Sequence, residues 1–263
     1  MDLAGHRAAL RREGDLLAAA LPRVDQHAHP PGCPDWRVVD VVRHLGYVHR
    51  WAAAVVRERR ADSEVDVADD GAGISGPALV DWFRVGHDAL LRELAACDPA
   101  AVFFAFLPAP SALHFWSRRQ THETGIHRTD VESAGGPVTP FPAEQAVDGI
   151  EEILTGFAAR PRPRWRGPER SLGLLASDAG TPGWLVRIGS DGARVERGDE
   201  AATTAECVVR GGASDLDLLL WNRIDSAGLD VRGDPGVLGA WRGTVRVRWT
   251  GPPPPGAGAM RPT

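Results

Sequence analysis

Apolar residues recur at helical spacing through the first 160 positions. Residues 4–20 (AGHRAALRREGDLLAAA) form an Ala- and Leu-rich amphipathic stretch that Pro22 ends. A second helix opens at CPDWRVVDVVRHLGYVHRWAAAVVRERR, with Asp35 as the expected N-cap. Val38, Val41, Val42, Leu45, Val48 and Val55 mark its buried stripe. The acidic, unpatterned ADSEVDVADDGAG then reads as a surface loop. A third helix is predicted from Pro77 to Ala96, a fourth from about Ser111 to Ser133, and a fifth over 143–158.

After the Pro- and Arg-rich ARPRPRWRGPER the period shortens to two. SLGLLASD, GWLVRIG, ARVERG, AECVVRG and TVRVRW read as strands, with Val245, Val247 and Trp249 alternating with arginines in the last of them. SDLDLLLWNRI and PGVLGAWR are helical interruptions. The expected architecture is α+β: a helical bundle over 1–160, a small α+β domain over 167–250, and a disordered Pro/Gly tail over 251–263.

Composition narrows the function. The net charge of -5, with arginine the only long basic side chain, leaves no basic footprint for nucleic acid. No apolar run is long enough to span a bilayer, and the N-terminus is too charged for a secretory signal, so a cytoplasmic protein is expected. Cys33, Cys97 and Cys207 are odd in number and widely spaced, which argues against a disulfide framework or a thiolate zinc site. All nine histidines lie at or before His127, so any imidazole chemistry belongs to the first half.

Within the fourth helix, FWSRRQTHETGIHRTD sets Glu123 and His127 four residues apart, on one face, where a carboxylate and an imidazole can share a metal. His122 falls on the adjoining face, and its five-residue step to His127 rules out the HExxH geometry of zinc proteases. On the second helix His44 lies in the apolar stripe, either as a hydrogen-bonded core residue or as a third ligand, with Asp40 one turn earlier to orient its ring. His49 is expected to be exposed. The HxH pair in VDQHAHP lacks the strand that would make it an amidohydrolase motif and reads as a polar loop. Phe115 and Trp116 could wall a pocket or fill the core, and Tyr47 could donate a proton near His44.

CPDWRVVDVVRHLGYVHRWA, HETGIHRTDVE, GGASDLDLLLWNRI and LDVRGDPGVLGAWR, in this order, resemble the mycothiol-dependent maleylpyruvate isomerase family over nearly the whole chain. The resemblance implies a DinB-like four-helix bundle followed by a sterol-carrier-like α+β domain. It implies zinc ligands at His44, Glu123 and His127, and mycothiol as a low-molecular-weight thiol cosubstrate whose pKa zinc lowers. In the family's isomerisation the thiolate adds to a conjugated cis double bond of a small electrophile such as maleylpyruvate, the resulting single bond rotates, and elimination gives the trans isomer. The family's C-terminal arginine corresponds to Arg223, either as the holder of a substrate carboxylate or as a surface arginine at a helix end. Asn222 stands where many relatives carry glycine. The same ligand set also admits a zinc hydrolase, and the architecture admits a non-catalytic module that binds a small molecule or partner.

Overall fold

The computed structural model describes residues 1–161, 165 and 167–246. It divides into two compact units, Met1–Thr139 and a second that begins at Pro140. The expected tail at 251–263 lies outside the described residues.

The first unit is a four-helix bundle. Helix α1 (Leu3–Ala20) starts where the Asp2 carboxylate accepts from Gly5 N at 2.7 Å, and it ends in a short turn at Pro22. Helix α2 (Val38–Glu58) opens two residues later than the sequence suggested. Asp35 is not its cap, because Pro30–Trp36 is taken up by successive tight turns, Cys33 N to Pro30 O and Trp36 N to Cys33 O. The capping residue is Arg37, whose backbone N–H donates to Asp40 at 3.1 Å. Helix α3 (Pro77–Ala96) carries proline in its first turn, and α4 (Ala112–Ser133) is capped by Ser111.

In the bundle α1 packs on α4 and α3, while α2 packs on α3 and α4. Leu17, Leu21, Val38, Val41, Val42, Leu45, Leu79, Phe83 and Val131 are its fully buried centre. The close approach of α2 and α3 depends on Gly46, where a β-carbon would stand 2.1 Å from the Trp82 ring. The acidic loop after α2 is tied down along its length. Trp51 Nε1 donates to Ser63 O, Arg50 pairs with Asp69, Trp82 Nε1 donates to Asp69 at 2.7 Å, and Arg43 donates to Ile74 O.

The second unit holds α5 (Ala143–Glu152), which runs on into a wider π-type turn, and a five-stranded sheet of order β3-β2-β1-β4-β5. Its strands are β1 (Arg170–Ala176), β2 (Trp184–Gly189), β3 (Gly192–Arg197), β4 (Cys207–Gly211) and β5 (Asp230–Gly233). Among the described residues only the β1–β4 pair is parallel. Helices α6 (Asp199–Thr203), α7 (Ala213–Leu220) and α8 (Gly236–Thr244) complete it, with α5 packed on α7. The first four strands fall where alternation predicted them. Of TVRVRW, Thr244 ends α8 and Val245 N donates back to Trp241 O at 2.7 Å, while residues 247–249 lie outside those described. The edge strand is DVRG, paired through Val209↔Val231. No helix among the described residues is long and apolar enough to cross a membrane.

Candidate metal site

Two helices supply the candidate ligands. On α4, Glu123 and His127 are one turn apart, and α2 presents His44 from the stripe that contains Val41 and Leu45. His44 Nε2 and His127 Nε2 each stand 3.3 Å from the same atom, Glu123 Oε1. In a tetrahedral zinc site with ligand bonds of about 2.0–2.1 Å, the ligand atoms are about 3.3–3.4 Å apart. Each imidazole nitrogen therefore already stands at that spacing from the carboxylate oxygen, and the ligand atoms of the three residues all lie within 4.8 Å of one another. His44 is nearly fully buried, while Glu123 is 20% and His127 13% exposed, so the group is open on one side.

Opposing effects set the charges here. Burial alone would raise the Glu123 carboxyl, but hydrogen bonds from His127 and His44, and the charges of His127 and Arg119, hold it well below the usual carboxylate range. Burial likewise disfavours a charged His127, yet Asp130 and Glu123 override it and push the imidazole up to about 9. Burial dominates at His44 and lowers it despite the bond to Glu123. His127 thus bridges two carboxylates, with Nε2–H donated to Glu123 and Nδ1–H to Asp130 Oδ2 at 3.0 Å. Asp130 is 1% exposed. An outer carboxylate on the far ring nitrogen is the usual device for fixing a ligand histidine's tautomer and orientation.

The expectation that Asp40 plays this part for His44 is not met. Both Asp40 oxygens are engaged by Arg37, at 2.8 Å from Nε and 3.1 Å from Nη2. The rings of His44 and Trp36 pack in a T-shape with their centroids 5.0 Å apart. The sequence reading also missed Arg119, which donates to Glu123 Oε2 at 3.2 Å. Arg119 and Asp130 each sit one turn from a ligand on the same helix, a spacing that Asp40 shares and that does not by itself tell a partner from a bystander.

The remaining candidates separate. His49, expected outside, is completely buried. It faces Thr124 on α4, where Nε2 stands 2.9 Å from Oγ1, and His87 on α3. His122 lies beside His6 of α1, away from the three ligands. His27 and His29 are exposed loop residues. Phe115 and Trp116 are buried and pack edge to face at 5.0 Å. Tyr47 is buried, and burial together with the charges of Asp66 and Asp70 pushes its hydroxyl up.

In the second unit Arg223 is half-buried just beyond α7. Its backbone N–H donates to Leu218 O at 2.8 Å and its Nη1 to Trp221 O at 3.0 Å. The preceding Asn222 has φ +59°, the left-handed conformation that glycine adopts freely and asparagine tolerates.

Comparison with known proteins identifies the family and the fold. Residues 7–132 match the mycothiol maleylpyruvate isomerase N-terminal domain, and residues 144–240 match the C-terminal domain of the same family. Two crystal structures share the fold. One is the mycothiol-dependent maleylpyruvate isomerase, 16% identical with a TM-score of 0.59, and the other is a histidine-to-alanine mutant of it, 15% identical with a TM-score of 0.61. Each alignment covers 88% of this chain and 93% of the other. No protein of curated function matches the sequence significantly.

Proposed function

The chain belongs to the mycothiol maleylpyruvate isomerase family, and on that premise we propose that it is a zinc-dependent thiol enzyme whose metal is held by His44, Glu123 and His127. The observation that carries this reading is the convergence of two Nε2 atoms on one carboxylate oxygen at 3.3 Å each. Zinc bound there supplies a Lewis acid that lowers the pKa of a thiol, so that thiolate is present near neutral pH.

The residues around it have separable tasks. His44 and His127 offer Nε2, and Glu123 offers Oε1. To hold the ion, His127 would offer Nε2 without its proton while its Nδ1–H stays donated to Asp130. Trp36 and the burial of His44 exclude water from one side. The thiol we assign is mycothiol, and the substrate class is a small conjugated electrophile such as maleylpyruvate. Thiolate adds to the cis double bond to form a C–S bond, the carbon–carbon single bond rotates, and loss of the same thiolate regenerates the alkene in trans form. Retention of the C–S bond, with the enolate left by addition protonated from water, instead gives conjugation. Arg223 is assigned to pair with a substrate carboxylate through its planar guanidinium.

The test is the metal content of the purified chain beside Glu123→Ala and His127→Ala. About one zinc per chain is expected, absent from both variants while their helical circular dichroism persists. Mycothiol should then shift the visible spectrum of the cobalt-substituted protein. A wild-type chain that takes up no zinc when supplied with it overturns the proposal, and a loaded chain whose metal ignores thiols overturns the thiol assignment.

A further inference from the structure

Arg119, Glu123 and His127 follow one another at four-residue steps along α4, so they form a single stripe on its surface. Helical side chains lean toward the N-terminus, which brings each of them over the turn occupied by the one before. The two oxygens of Glu123 consequently meet different partners. Oε1 faces both imidazoles, while Oε2 accepts from Arg119 Nη2 at 3.2 Å. The Arg119 side chain is 4% exposed.

This pair is poorly explained as a helix stabiliser. An acid–base pair four residues apart supports a helix better with the acid on the N-terminal side, and here the base comes first. Burying a guanidinium also costs desolvation that an ion pair barely offsets, so an apolar residue at 119 would serve stability as well or better. What arginine provides at this place is a charge that persists at any working pH and a rigid planar fork, applied to the oxygen that does not face the histidines.

We propose that Arg119 is a positioning residue that confines Glu123 to metal coordination through Oε1 alone. With Oε2 engaged, the carboxylate cannot close on the ion with both oxygens, and the protein contributes three ligand atoms. The fourth position of a tetrahedral ion then remains for an exogenous thiol. The inference rests on the metal assignment made above.

The test uses cobalt in the full-length chain, because four-coordinate cobalt absorbs visible light much more strongly than five- or six-coordinate cobalt. Wild type, Arg119→Met and Arg119→Lys are loaded, and their visible spectra and cobalt dissociation constants are measured. The wild type is expected to give the intense four-coordinate spectrum. Arg119→Met should give a weak, higher-coordinate one and a tighter dissociation constant, because the ion gains an oxygen ligand and loses a neighbouring positive charge. Arg119→Lys, which keeps the charge but not the fork, should return both part of the way to wild type and guards against a methionine variant that fails to fold. Intense, wild-type-like spectra and affinities in both variants overturn the role of Arg119 while leaving the metal site standing. A wild type that binds no cobalt overturns the metal assignment and this inference with it.

Discussion

Arg128 tests how the bundle holds its metal face in register. Its guanidinium and the Glu13 carboxylate are both completely buried, with Nε donating to Glu13 Oε2 at 2.8 Å. Nη1 donates to Glu132 Oε2 at 2.8 Å and also to Thr139 O. Arg128→Met would leave two buried carboxylates short of a partner. Glu132 keeps two donors, Thr139 N at 2.8 Å and its hydroxyl at 3.0 Å, and Glu13 keeps Arg12 on its other oxygen. The penalty therefore falls chiefly on Glu13 Oε2, and breaking one buried pair in this way costs about 3–5 kcal/mol. In a chain of this size that corresponds to a fall in Tm of roughly 6–20 °C. Adding Glu13→Leu to Arg128→Met removes the stranded charge and should restore most of the loss, since an ion pair and a packed apolar pair are close in energy. Urea titration by far-ultraviolet circular dichroism, with hydrogen exchange of α1 and α4 peptides, measures both variants. If Arg128→Met stays within about 1 kcal/mol of wild type, or the double variant is no better than the single, the reasoning fails.

Two further outcomes follow from the same structure. Asp130→Ala should weaken zinc binding about 10–100-fold in a chelator competition assay, because His127 loses the carboxylate that orients it; an affinity within twofold of wild type would show that Asp130 does not support the ligand. His87 is buried against Phe83 and His49, and burial outweighs the nearby charges of Asp88 and Asp15 to bring it to about 4. The unfolded chain takes up a proton there near pH 6.5 and the folded chain does not, so stability is full above pH 6.5 and declines as pH falls toward 4. By pH 5 the loss is about 2 kcal/mol. Urea midpoints at pH 7 and pH 5 should differ less in His87→Leu than in wild type, and an equal difference would remove His87 as the cause.

The helices and the ligand stripe were legible in the sequence because both depend on the 3.6-residue period alone. Glu123 and His127 need only their own helix to share a face, and the apolar neighbours of His44 already placed it inward. The outer partners were not legible from spacing, as Asp40 and Asp130 illustrate. Each lies about one turn from a ligand histidine, but Asp40 sits in the first turn of α2, where free backbone N–H groups and Arg37 draw its carboxylate away. Asp130 sits deep in α4, where the backbone donors are already used, and it turns to His127. His49 was misjudged for a related reason: α2 is packed on more than one side, so a residue off the His44 stripe still meets α3 and α4. The edge strand β5 is four residues long, exposed or half-buried throughout, and without apolar alternation; only its pairing with β4 defines it.

The burial of so many charged and polar groups in α4 becomes intelligible when its two registers are considered together. Positions 119, 123 and 127 make the metal face, while 128 and 132 make a second charged face that meets Glu13 on α1 and Thr139 beyond the helix. One residue of helix is a rotation of about 100°, so Arg128 lies that far around from His127. An apolar α4 could pack on α1 in several rolls of similar energy, because hydrophobic contact has no direction. A guanidinium fixed by two carboxylates and a carbonyl permits one. That single roll points Glu123 and His127 toward His44, and a slip of one residue would carry both ligands away from it. The second face thus contributes little net stability and a definite orientation, and on that basis Arg128→Met combined with Glu13→Leu should regain its fold more completely than its zinc affinity.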